Sequence, residues 1–105
     1  MSDVVVIYTT FGTMEEAKRV GEDIVESRLA ACVNILPSMV SIYEWHGEFN
    51  SDNEVVMLVK TRQELSGKVI EEIKRLHSYD TPALMVLPVE GGCVEYLNWI
   101  KQQTG

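Results

Sequence analysis

Cysteine, histidine, proline and basic side chains are all scarce in this chain, and each shortage removes a class of function. The two cysteines, Cys32 and Cys93, form no Cys-x-x-Cys pair, so neither a zinc ribbon nor a dithiol redox motif is written here. They read as reduced thiols, and a cytoplasmic protein is the expectation. Lysine and arginine total 9 against 16 acidic residues, a formal net charge of −7. That balance argues against nucleic acid or an anionic membrane as partner. No apolar run approaches the roughly 20 residues of a membrane span, and a strand that starts at Asp3 is expected to leave no room for a targeting peptide. Glycine-rich phosphate loops and a Gly-x-Ser-x-Gly elbow are also lacking, so the expectation is a protein that is not an enzyme. With 46% hydrophobic and 24% charged residues in 105, what remains is one globular domain over residues 1–105.

The stretch from Ala30 to Thr61 organises that domain. Two runs rich in β-branched and aromatic residues flank His46-Gly47 and Asn50-Ser51-Asp52-Asn53, which signals a hairpin. Between Ala30 and His46 only Pro37 interrupts strand character. At roughly 3.3 Å per residue this arm could reach about 55 Å, whereas a domain of this length is only about 35 Å across. One end of the hairpin must therefore project beyond its own core. It carries Met39, Val40, Ile42, Tyr43 and Trp45, an exposed edge whose simplest cover is another copy of the chain. Pro37 cannot donate to a ladder, so a bulge or bend is expected between Ala30–Leu36 and Met39–Trp45.

The remaining elements follow from period and caps. Val4–Tyr8 is a continuous apolar run, as in a strand buried on both faces. Thr13-x-x-Glu16 has capping-box spacing and opens a helix to about Arg28. Met14, Ala17, Val20, Ile24 and Val25 form its buried stripe, with Glu15, Glu16, Lys18, Arg19, Glu22 and Asp23 on the solvated side. Thr61-x-x-Glu64 repeats the spacing before a helix that buries Leu65, Val69, Ile73 and Leu76 and stops ahead of Pro82. Ala83–Val89 is a fourth strand, and Val94, Leu97, Trp99 and Ile100 suit a terminal helix. The order predicts an α+β, ferredoxin-like split βαβ sandwich with a long second hairpin and an extra C-terminal helix.

Few residues announce chemistry. Ligand spacing for zinc is absent, and Cys32, behind two alanines, reads as a small buried hydrophobe. His77 ends a helix beside Tyr79 and Asp80, grouping an imidazole, a phenol and a carboxylate. A favourable place at the helix C-terminus explains the histidine equally well. Glu54 and Lys60 are charges at the two ends of an apolar strand, where exposure is the ordinary outcome. Tyr43 and Trp45 share a strand face and offer a flat aromatic surface for a subunit contact or a pocket. The Thr9–Thr13 turn leads into a helix N-terminus, and the cap alone accounts for Thr13.

Leu29-Ala30-Ala31-Cys32-Val33-Asn34, Ser41-x-Tyr43-x-Trp45-x-Gly47, Glu54-x-x-Met57-x-x-Lys60-Thr61, His77-x-Tyr79-x-x-Pro82 and Tyr96-Leu97-x-Trp99-Ile100 together resemble the CutA1 divalent-cation tolerance family over nearly the whole chain. The resemblance implies a ferredoxin-like protomer in a tight homotrimer, with PII-like architecture and hairpins paired between subunits. It implies a part in tolerance of copper and other divalent cations. Cys32, Asn34, Trp45, Glu54, Lys60, Thr61, His77, Tyr79 and Pro82 would then line the cleft between subunits. Copper ligation described for some members uses a first-strand cysteine and two adjacent histidines after the second helix. Here those positions hold Tyr8, Leu76 and His77, so one ligand of three survives. Ser78 and Ala83 replace a common proline and a common acidic residue. Metal binding would need ligands shared across a trimer, such as His77 with Cys32 or Glu54. A PII-like regulator that binds a small molecule in the cleft, through Lys60 and Arg62, is the alternative reading, and a scaffold for another protein is a third.

Overall fold

Alternating apolar and polar positions in the central strands decide which face of the sheet carries the helices. In the computed structural model, which describes residues 2–105, the chain runs β1 (Val4–Phe11), α1 (Met14–Glu26), β2 (Cys32–Trp45) and β3 (Glu48–Arg62). A short 3₁₀ turn (Gln63–Leu65), α2 (Ser66–Leu76), β4 (Leu84–Pro88) and α3 (Val94–Gln103) follow. The four strands form one sheet in the order β2-β3-β1-β4, and every pairing is antiparallel. Val5, Ile7 and Phe11 of β1 and Val55, Met57 and Val59 of β3 share a core with Ala17, Val20 and Ile24 of α1 and Val69 and Ile73 of α2. Both helices thus lie on one face, the ferredoxin-like split βαβ arrangement the element order predicts.

The other face is largely bare. α3 covers only one end of it, where Ile100 packs with Val4 and Ala31. Beyond that lie Val6, Tyr8, Val56 and Leu58, all half-buried, and the exposed Leu36, Met85 and Leu87. β1 is therefore fully buried on the helix face but only half-buried at Val6 and Tyr8 on the other, contrary to the expectation from its apolar run, and it extends three residues past Tyr8 to Phe11.

The hairpin is longer on its return arm than the sequence suggests. Its turn is the two-residue pair His46 (φ 52°) and Gly47 (φ 81°), both left-handed as a tight type I′-like turn requires. Asn50–Asn53 are consequently strand and not turn, with Ser41 opposite Asp52 and Tyr43 opposite Asn50. The expected bulge is present: register shifts between Leu36 and Met39, spanning Pro37 and Ser38. The hairpin gives the molecule its shape, 45 Å long by 25 and 22 Å.

Caps differ from the two expected boxes. Thr13 accepts from the Glu16 amide at 3.1 Å, but the Glu16 carboxylate turns away to the loop after α2. Thr61 caps nothing; its hydroxyl donates to the Leu29 carbonyl at 2.6 Å, tying β3 to the end of α1. Glu16, expected in solvent, is buried.

Candidate functional site

β3 carries both of the charged residues singled out, and strand geometry sets them apart. Glu54 and Lys60 are six residues apart, about 20 Å in an extended chain. The predicted residues therefore divide into two groups. Cys32, Asn34, Lys60 and Thr61 lie at the α3 end, Cys32 directly opposite Lys60. Trp45, Glu54, His77, Tyr79 and Pro82 lie toward the hairpin end.

At the hairpin end, even-numbered residues of β1 and β3 and odd-numbered residues of β2 beyond the bulge share the bare face, because the bulge reverses the phase of β2. That phase places Ser41 and Thr10 against Glu54. Ser41 Oγ donates to Glu54 Oε1 at 2.7 Å. Thr10 Oγ1 and Tyr79 Oη donate to Oε2 at 3.2 Å and 3.0 Å. Three hydroxyls thus fix one carboxylate. Burial, and then the hydrogen bond to the Glu54 carboxylate, push the Tyr79 phenol up to about 12. Tyr43 Oη donates to Asp52, and that bond raises its phenol as well. These groups line a cleft of about 510 Å³ bounded by Thr10, Tyr43, Trp45, Glu54, Tyr79 and Asp80, with Asp52, Thr81 and Ala83 completing the wall. No lysine or arginine is among them.

His77 and Glu16 support this cleft from beneath. The imidazole is fully buried and stacks on Phe11 with ring centroids 4.4 Å apart. Its Nε2 meets the Thr10 carbonyl at 2.7 Å, and its Nδ1 accepts from the Tyr79 amide at 3.0 Å. A carbonyl can only accept and an amide can only donate, so the network assigns the neutral Nε2–H tautomer. Both ring nitrogens are engaged, which leaves neither free for a metal. Glu16 accepts from the Ser78 amide at 2.7 Å and the Ser78 hydroxyl at 2.9 Å. Together His77 and Glu16 hold the loop that aims Tyr79 at Glu54. Ser41, Thr10, Asp52 and Glu16 were missed by sequence reasoning; only their alternation with strand partners could have pointed to the first three.

At the α3 end, Lys60 Nζ donates to Tyr96 Oη at 2.9 Å and lies 5.2 Å from the ring centre. That hydrogen bond raises the Lys60 ammonium above its ordinary value, against the opposing effect of burial. Cys32 Sγ is 3.8 Å from the same phenol. Arg62 donates to the Thr104 hydroxyl at 3.0 Å and carbonyl, so both cations serve α3. Cys32 also borders a groove of about 430 Å³ between α1 and β2, lined by Gly21, Val25, Val33 and Ile35 among others. Its walls are mainly apolar and it gathers no convergent polar cluster. Asn34 is exposed and Pro82 half-buried. Both cysteines are free thiols. Among the described residues no group of three or more His, Cys, Asp or Glu is close enough to hold one metal ion, and no helix is long and apolar enough to cross a membrane.

Comparison with known proteins places this geometry in a series. The family model described as CutA1 divalent ion tolerance protein matches residues 5–103. The divalent-cation tolerance protein CutA of Thermus thermophilus is 44% identical over 105 residues, the whole of both chains. The chloroplastic protein CutA of Arabidopsis thaliana is 42% identical over 100 residues, and the chain spans only 55% of that relative's length. Among solved structures, the Thermus thermophilus Cut A1 protein superposes with a TM-score of 0.93 at 42% identity, covering 97% of this chain and 99% of its own. A CutA from Archaeoglobus fulgidus, named as periplasmic, gives 0.94 at 40% identity with 97% and 99% covered.

Proposed function

This chain belongs to the CutA1 divalent ion tolerance family, and from that premise we propose that it acts as a homotrimeric, cytoplasmic binding protein in the tolerance of divalent cations, without catalysing a reaction. The observation that carries the cation reading is the cleft itself: Asp52, Glu54 and Asp80 face one space with no basic side chain on its wall. A negative potential confined in a cleft concentrates cations. The trimer is supported by the bare sheet face and by the hairpin's reverse side, where Ile42 is 79% and Phe49 82% exposed. A monomer gains nothing from keeping such side chains in water.

The donor set bears on which ion. With His77 engaged on both nitrogens, one chain presents carboxylate and hydroxyl oxygens, which suit hard cations such as magnesium or manganese better than copper. The carboxylates do not converge on a single point, so a divalent ion here keeps much of its water shell or takes further ligands from a neighbouring copy. For copper, a soft ligand such as the Cys32 thiol would have to come from another subunit. The PII-like reading, a small anion held by Lys60 and Arg62, is less well supported, because Tyr96 and Thr104 already occupy both cations. Isothermal titration calorimetry of the whole chain with magnesium, manganese, Cu(II) and ATP tests this function. Heat with a divalent cation and none with free ATP is the expected result; heat with ATP alone would favour the regulator.

A further inference from the structure

We draw no further inference here: the strongest candidate, the buried His77–Glu16 pair beneath the hairpin-end cleft, belongs to the site already described and could act only by titration of a histidine at one of the family's copper-ligand positions.

Discussion

Glu54 shows how a residue that looks ordinary in sequence becomes the centre of a site. A charge at a strand end is usually solvated, but here Thr10, Ser41 and Tyr79 turn their hydroxyls onto it. Burial, and then the bond to Glu54, raise the Tyr79 phenol to about 12, against an ordinary value of about 10. The folded value is the higher one, so the stability this phenol contributes is complete below pH 10 and is lost as pH rises toward 12. Ultraviolet titration of the folded protein should show its last tyrosine ionising near pH 12, and Tyr79→Phe should abolish that last step. A carboxyl is raised in the same direction between the helices. A hydrogen bond to Glu72, then burial, raises Asp23, while Arg75, bound to Glu72 at 2.7 and 3.0 Å, keeps Glu72 ionised. Asp23 Oδ1 is buried with no hydrogen-bond partner. Stability from this pair is full below about pH 4 and declines as pH rises through the raised value. Asp23→Asn supplies a permanent N–H donor, so denaturation midpoints should be higher than the parent's at neutral pH and flatter with pH. A variant less stable at pH 7 would contradict the assignment. Neither the half-buried Asp23 nor the buried Glu16 was legible as such, because helical periodicity assigns faces to one element at a time. It cannot see what α2 and its following loop bring to the polar side of α1.

Elements were legible where local chemistry dictates them. Pro37 lacks the N–H a ladder needs, and the bulge falls beside it; the apolar stripe of α1 reads directly onto the core. The start of β3 was not legible, because Asn50-Ser51-Asp52-Asn53 has turn composition while forming strand. Pairing with Val40–Tyr43 and the left-handed pair His46-Gly47 override that local preference. Helix α1 meets β2 and β3 closely at Gly21, where an added Cβ would lie 2.9 Å from Val33 Cγ2 and 3.4 Å from Met57 Sδ. Val33 is β-branched and has little rotamer freedom with which to retreat. Gly21→Ala should therefore cost about 1–3 kcal/mol in overpacking, which outweighs the roughly 1 kcal/mol that alanine gains in helix propensity. Urea denaturation measures the balance, and a more stable variant would show that the helix can move off the sheet at low cost.

At the scale of the molecule, the two ends of the sheet differ in how their charges are partnered. Glu48, Asp52 and Glu54 crowd the hairpin end, whereas at the α3 end Arg62 is paired with Glu64 and Lys101 faces Asp3 at 3.8 Å. A chain with a bare apolar sheet face and an overhanging hairpin suits a heterologous contact that closes into a ring. The separation of Cys32, Asn34, Lys60 and Thr61 from Trp45, Glu54, His77, Tyr79 and Pro82 within one chain has the same explanation in the proposed trimer, where one subunit's α3 end meets another's hairpin. The sequence signalled this through arm length alone, and a single chain cannot display the partner that makes the two groups neighbours. Sedimentation equilibrium at micromolar concentration tests the account most directly, on the parent and on Ile42→Asp and Phe49→Asp. The account predicts a parent mass of about three times 11.9 kDa, and variants that keep their folded spectrum while dissociating. A folded parent of 11.9 kDa at that concentration would contradict it.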